Sequence, residues 1–138
     1  LINFMLGAAG GLFGYPQFSL DTILGGLFAG FAWAMGVPLH ETMQAGALMG
    51  TKLVANEFVA YLQLKDLIDQ NALSPKTLAI VSFALCGFAN FGSVGIQIGG
   101  ISALEPSRRA DLAKLGFKAL IAGTLASYLS ATLAGMLL

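Results

Sequence analysis

The sequence predicts an all-α polytopic membrane protein that combines membrane spans with a re-entrant helical hairpin and a broken transmembrane helix. Two observations predict this fold class. The mean hydropathy is +0.79, and 57% of the 138 residues are hydrophobic while only 10% are charged, so the composition suits lipid better than water. Several long uncharged stretches are also interrupted by glycine, asparagine and serine, which are poor residues for a helix interior.

The charge balance and the residue counts exclude several other classes of protein. Seven basic and seven acidic residues give a net charge of zero, so no basic surface for nucleic acid is expected. The single cysteine, Cys86, excludes an internal disulfide and a cysteine metal cluster. The single histidine, His40, makes a zinc site or a Ser/His/Asp catalytic set improbable. The chain starts inside an apolar run without an initiator Met or a signal peptide, and we interpret it as a piece of a larger chain.

The first two segments are predicted from glycine, proline and charge. Residues 1–19 contain glycines and Pro16, which predict the end of a helix followed by a turn. Residues 20–37 have one charge, at the edge, and are long enough for one span. A small-residue face would let this helix approach another closely; its members are Gly25, Gly26, Ala29, Gly30 and Ala32.

Residues 42–70 predict a re-entrant hairpin. The apolar pieces "MQAGALMG" and "LVANEFVAYLQL" are each too short to cross about 30 Å of hydrocarbon. A single helix would place Lys52 and Glu57 at mid-depth, whereas two half-helices folded at residues 50–52 would bury the polar groups in protein or in a cavity. We therefore predict the fold of the hairpin at residues 50–52.

Residues 77–104 predict a broken helix, and residues 117–138 predict the last span. The first of these segments is uncharged and longer than a bilayer needs, and "CGFANFGS" at its centre predicts a break near Asn90. Basic residues are concentrated in the linker at 105–118, which the positive-inside rule places in the cytoplasm, with the C-terminus outside.

Candidate binding residues come from the two interrupted segments. Glu57 lies in the hairpin, and Asn90 and Ser93 share one helix face at the break. A carboxylate, an amide and a hydroxyl suit a neutral solute that is rich in hydroxyl groups. Structural alternatives stay open: Glu57 could pair with Lys52 to hold the hairpin, Asn90 and Ser93 could only satisfy the broken backbone, and Phe88 could only pack.

Other polar or reactive residues have simpler interpretations. Cys86 is expected to be a small core residue. Arg108 and Arg109 are expected to anchor the chain at the interface. His40 and Glu41, near the end of a span, are expected to cap a helix or to contact lipid headgroups.

The sequence resembles the concentrative nucleoside transporters. "GTKLVANEFVAY" followed by "ALCGFANFGSVGIQIGG" carries the resemblance, and "GVPLHET", "EPSRRADL" and "KALIAGTLASYLSATLAG" fit the same family. It covers essentially the whole chain but only the C-terminal part of a family member. Family members often have serine where this chain has Gly92, which bears on the backbone geometry at the break.

The resemblance implies cation-coupled nucleoside uptake, with Na⁺ or H⁺ as the coupling ion, across a plasma membrane or a bacterial inner membrane. It implies a homotrimer in the lipid bilayer, in which a transport domain moves against a scaffold that contains residues 20–37. The N-terminal half of the same protein would carry the nucleobase-reading hairpin and the main ion site, and no nucleic acid or bound cofactor is expected.

Residue by residue, the resemblance assigns Glu57, Asn90 and Ser93 to the ribose and places Phe88 in the lining of the site. A carrier for another polar neutral solute is the alternative function, and a structural membrane subunit without a solute site is a second alternative. Enzymatic activity is not expected.

Overall fold

The computed structural model describes residues 5–8, 11, 14 and 19–138. Within these residues the chain forms helices and turns and no strand, which confirms the all-α fold class. Two 3₁₀ turns, Leu39–Glu41 and Pro106–Arg108, separate some of the helices. The α-helices within residues 19–138 are α1 Leu20–Ala34, α2 Thr42–Val54, α3 Glu57–Asp69, α4 Pro75–Leu85, α5 Phe91–Leu104 and α6 Arg109–Leu137.

The predicted helix end and turn within residues 1–19 fall mostly outside the described residues. The helix α1 that follows is capped by Ser19, whose side chain accepts a hydrogen bond from the backbone N–H of Thr22. It ends in a Schellman motif, because Val37 N–H donates to Ala32 O and Gly36, with a φ of +99°, takes the left-handed position. The 15 residues of α1 extend over about 22 Å.

The helices α1 and α2 are antiparallel and very closely packed. A Cβ at Gly46 would lie 2.5 Å from Gly25 O and 2.8 Å from Ala29 N, so the α1 backbone occupies the space that a side chain would need. Leu24 packs against Gly50 in the next turn. Part of the predicted small-residue face, including Gly25 and Ala29, is therefore used against α2, while Gly26 and Gly30 remain exposed.

The chain folds back between α2 and α3 at residues 55–56, so the predicted fold at residues 50–52 is wrong. The helix α2 continues through Gly50, where the absence of a side chain leaves room for Leu24 of α1. The signal for the turn is Asn56, which caps α3 by accepting a hydrogen bond from Val59 N–H at 2.9 Å.

The helices α2 and α4 run parallel, with α3 returning between their ends. Glu41, just before α2, accepts hydrogen bonds from Ser74, just before α4. At the other end, Lys52 of α2 donates to Ala84 O of α4. The start of α4 is therefore next to the start of α2, although both α2 and α3, of 13 residues each, lie between these two points along the chain.

The broken helix has its interruption where the sequence indicates it. The helix α4 ends at Leu85, and α5 begins at Phe91. Gly87 has a φ of +108°, a conformation that favours glycine. Asn90 caps α5 by accepting a hydrogen bond from Ser93 N–H at 2.7 Å.

The last helix, α6, includes part of the predicted linker as well as the predicted span at 117–138. Its 29 residues extend over about 43 Å, which exceeds a hydrocarbon core of about 30 Å. Among the described residues, the segment Pro106–Leu137 is the helical segment that is long and apolar enough to cross a membrane by itself.

The core lies between α1, α2, α3, α4 and α6, whereas α5 has no buried residue and packs along α6. Gly135 of α6 allows Ile80 of α4 and the α1 end at Met35 to approach closely. The largest apolar side chains that are almost fully buried are Leu48, Met49, Ile80, Leu85, Val37 and Val81.

Candidate solute-binding site

The hairpin turn and the helix break meet at a side-chain hydrogen bond. Glu57 is the first residue of α3, and Asn90 is the residue immediately before α5. Asn90 Nδ2 donates to Glu57 Oε2 at 2.9 Å. Asn90 is 2% exposed, and Glu57 is half-buried. The structure therefore brings together two predicted site residues that are far apart in the sequence.

The N-termini of two helices converge at this contact. Both α3 and α5 begin here, and their first N–H groups give the region a positive potential that favours an anionic side chain. Glu57 lies in the first turn of α3. Its carboxylate is therefore stabilised by the helix itself as well as by the Asn90 amide.

The site retains hydrogen-bonding capacity. Within the described residues, Glu57 Oε1 and Ser93 Oγ have no hydrogen-bond partner, and Asn90 Nδ2 uses only one of its two hydrogens. A carboxylate oxygen accepts, an amide nitrogen donates, and a hydroxyl does both. The carboxylate and the amide can together bind adjacent hydroxyl groups of a neutral solute.

The other two predicted site residues lie on a neighbouring surface. Phe88 and Ser93 line a cavity of about 310 Å³ between α5 and α6, together with mainly apolar side chains such as Leu112 and Leu115. Glu57 and Asn90 are not in this lining. Ser93 connects the two places, because its backbone N–H binds the Asn90 amide oxygen.

Gly92 leaves the cap at the break intact. A Cβ at this position would lie 3.3 Å from Asn90 Oδ1, which is a tight contact. Glycine avoids that contact, and the hydrogen bond from Ser93 N–H to Asn90 Oδ1 forms in its presence.

Lys52 does not pair with Glu57, so the simplest structural explanation for Glu57 is not observed in the part of the chain that the structure describes. Lys52 is 2% exposed, and its Nζ donates to Ala84 O at 2.8 Å and to Ser127 Oγ at 3.4 Å. Sequence reasoning missed these partners. The available signal was a lysine within an apolar helix, which requires a specific partner.

Glu41 joins the base of the hairpin to α4. Its carboxylate accepts from Ser74 N–H at 3.1 Å and from Ser74 Oγ at 3.0 Å, and His40 Nε2 lies at 3.3 Å. Burial raises the pKa of Glu41, but hydrogen bonds from Thr77 and Ser74 and the nearby His40 lower it more, so the pKa is below its usual value. His40 and Glu41 are expected either to cap a helix or to contact lipid headgroups, and Glu41 caps a helix. That helix is α4, which is distant from Glu41 along the chain.

Cys86 is exposed, so its expected place in the core is wrong. It follows the last residue of α4, where the helix has ended and the backbone turns away from the core. Among the described residues, no group of three or more His, Cys, Asp or Glu side chains is arranged to hold a metal ion.

Comparison with known proteins identifies the family. The model for "Na+ dependent nucleoside transporter C-terminus" matches residues 1–135. The chain belongs to this family of membrane transporters. The resemblance to concentrative nucleoside transporters is thus confirmed, and it points away from an enzyme.

Three relatives show how widely the family extends. It is 53% identical over 136 residues to the uncharacterized transporter YutK of Bacillus subtilis, covering 99% of this chain and 33% of YutK. It is 51% identical over 127 residues to the putative nucleoside permease NupX of Escherichia coli, covering 91% and 30%. It is 39% identical over 153 residues to human solute carrier family 28 member 3, covering 99% and 22%.

Solved structures of CNTnw agree with the fold. CNTnw in an inward-facing substrate-bound state matches with a TM-score of 0.93 and 49% identity, over 97% of this chain and 33% of that one. A CNTnw variant in an outward-facing state matches with a TM-score of 0.92 and 48% identity, over 97% and 32%. The chain therefore spans about a third of the length of YutK and of CNTnw.

Proposed function

We propose that the full-length protein carrying this chain takes up nucleosides across the cell membrane by coupling them to Na⁺, and that this chain supplies the ribose-binding part of the site. The observation that carries the proposal is the hydrogen bond from Asn90 to Glu57, which joins a hairpin turn to a helix break. Broken helices whose ends converge are typical of the substrate sites of secondary transporters. Family membership supports nucleosides as the solute and Na⁺ as the ion.

The ribose is bound through its vicinal hydroxyl groups. Glu57 accepts from them through Oε1 and the remaining lone pair of Oε2, while Asn90 fixes the orientation of the carboxylate. Each charge-assisted hydrogen bond contributes about 1.5–3 kcal/mol. The Ser93 hydroxyl adds one neutral hydrogen bond, and Phe88 provides an apolar surface beside the sugar.

The remaining part of the binding site belongs to the N-terminal half of the protein. That half supplies the groups that read the nucleobase and the main ion site, as the resemblance implies. The active protein is a homotrimer in the plasma membrane or bacterial inner membrane, with residues 20–37 in the scaffold, the linker at 105–118 in the cytoplasm and the C-terminus outside.

Uptake of labelled uridine by vesicles containing the full-length protein tests this function. An inward Na⁺ gradient should drive accumulation, whereas a K⁺ gradient of equal size should not. Accumulation driven by a proton gradient in the absence of Na⁺ would show that H⁺ is the coupling ion instead. No accumulation of any nucleoside under any of the three gradients would refute the proposal, and accumulation of a non-nucleoside polyol alone would support the alternative carrier.

A further inference from the structure

A buried lysine holds the C-terminal end of α4. Lys52 Nζ donates to Ala84 O at 2.8 Å. Because α4 ends at Leu85, this carbonyl lies in the last turn, where carbonyl groups lack helical N–H partners and carry partial negative charge. An ammonium group at this position complements both the unpaired acceptor and the charge.

Ser127 of α6 extends this contact into the break itself. Its hydroxyl accepts from Lys52 Nζ at 3.4 Å and lies 2.9 Å from Cys86 O, the carbonyl that follows α4. A Cβ at Gly87 would lie 3.3 Å from Ser127 Oγ. The lysine and the serine therefore hold the backbone on both sides of the helix end.

The proposed site lies at two interruptions of the chain, the hairpin turn between α2 and α3 and the break between α4 and α5. Both follow shortly after the contact between Lys52 and Ala84. Lys52 lies in the last turn of α2, shortly before the hairpin turn and Glu57. Ala84 and Cys86 lie at the end of α4, shortly before Asn90. The hydrogen bonds of Lys52 therefore fix the separation of the two backbones from which Glu57 and Asn90 project, although Lys52 binds neither side chain.

We propose that Lys52, together with Ser127, is a positioning residue that sets the geometry of the Glu57–Asn90 pair and thereby the selectivity of the site for an intact ribose. The inference rests on the proposed function for its selectivity readout. Its structural part, that Lys52 orders the break at residues 86–90, is independent of any ligand.

Three variants of the full-length protein test the selectivity. Lys52→Met removes the ammonium but keeps the apolar stem. Ser127→Ala removes the hydroxyl that bonds Lys52 Nζ, Cys86 O and Gly123 O, and leaves the bond from Lys52 to Ala84 O in place. Ser130→Ala is the matched control, since Ser130 Oγ donates only to Ala126 O of its own helix. The measured quantity is the ratio of the Kd of 3′-deoxyuridine to the Kd of uridine. Lys52→Met should lower this ratio about two- to tenfold, Ser127→Ala should lower it less, and Ser130→Ala should leave it unchanged.

A purely structural role would reduce protein abundance and the affinity for both ligands equally, so an unchanged ratio in both Lys52→Met and Ser127→Ala overturns the proposal. If Lys52→Met does not reach the membrane, Ser127→Ala decides alone: a lower ratio at normal abundance supports the proposal, and an unchanged ratio overturns it.

The rate of Cys86 alkylation, followed by mass spectrometry of the labelled peptide, separates this inference from the proposed function. Lys52→Met and Ser127→Ala should each change the rate by at least about twofold, because Ala84 O loses its donor in the first variant and Cys86 O loses its donor in the second. Ser127→Ala makes this change without removing a charge near Cys86, and Ser130→Ala should leave the rate unchanged. If wild-type protein binds no nucleoside but the rate still changes, the proposed function fails and the ordering of the break stands. An unchanged rate overturns that ordering and the proposal with it.

Discussion

Replacing Glu57 by glutamine tests whether this carboxylate binds the sugar. The substitution preserves the shape of the side chain and leaves an oxygen to accept from Asn90 Nδ2, which lies 2.9 Å from Oε2. The oxygen that has no partner within the described residues becomes an amide nitrogen, so an acceptor for a sugar hydroxyl is replaced by a donor.

The expected loss follows from the number of hydrogen bonds that the carboxylate has available. Because one oxygen already accepts from Asn90, the sugar relies mainly on the other oxygen of Glu57. Loss of one charge-assisted hydrogen bond costs about 1.5–3 kcal/mol, which corresponds to a Kd that is about ten- to a hundredfold higher. The thermal stability should change little, since the contact with Asn90 is kept.

A double-mutant cycle between protein and ligand is the assay. The Kd values of uridine and 3′-deoxyuridine are measured for the wild-type full-length protein and for Glu57→Gln. Removing the 3′-hydroxyl should weaken binding to the wild type about tenfold or more, but it should weaken binding to Glu57→Gln by less than about threefold, because the partner of that hydroxyl is already lost. Strictly additive losses at unchanged protein abundance would show that Glu57 is a structural carboxylate.

Three further changes test other parts of the structure. Asn90→Ala should lower both thermal stability, by about 1 kcal/mol for the lost helix cap, and uridine affinity. Asn90→Ser should keep a side-chain oxygen for the cap but lose the amide donor to Glu57, and so lose affinity. Equal stability losses in the two variants would contradict the capping role. Glu41→Gln should lower the free energy of unfolding by about 1.5–3 kcal/mol at neutral pH. Because the folded-state pKa of Glu41 is lowered, this stabilisation is present above the unfolded-state pKa and is lost as the pH falls through the folded-state pKa, so wild type and variant should converge in acid. The surface control Asp69→Asn, which loses only an exposed ion pair with Lys65, should differ only slightly from wild type at any pH, because exposed ion pairs contribute little to stability. The topology is tested with single cysteines in a background with Cys86→Ala. A cysteine at Ser107 should react with an impermeant thiol reagent only after the cells are permeabilised, whereas a cysteine added at the C-terminus should react in intact cells. The reverse pattern would contradict the proposed topology.

Composition and helix-breaking residues predict much of this fold because they act locally. The break at Asn90 follows from the poor helix formers around it, and the same residue supplies the cap that starts α5. The predicted fold of the hairpin at residues 50–52 is too early in the chain, because a glycine between two apolar pieces does not always mark a turn. In the structure Gly50 accommodates Leu24, and Asn56, which starts α3, marks the turn.

Long-range contacts set the limit of prediction from the sequence. The partners of Lys52, at Ala84 and Ser127, belong to helices that are distant along the chain. No local pattern specifies which unpaired carbonyl a buried ammonium group will reach. The contact between Glu57 and Asn90 was predicted as a shared site from their polarity in apolar segments, and the structure supplies the bond itself.

The two charged groups that flank α2 also determine which way α4 runs. Two parallel helices side by side place like ends of their dipoles together, which is unfavourable. Here the Glu41 carboxylate accepts at the positive end of α4, and the Lys52 ammonium group donates near its negative end. Their spacing along α2 is close to the length of α4, which has 11 residues. An antiparallel α4 would bring each charge to the helix end of its own sign, so this pair of charges encodes the direction of the chain as well as its position.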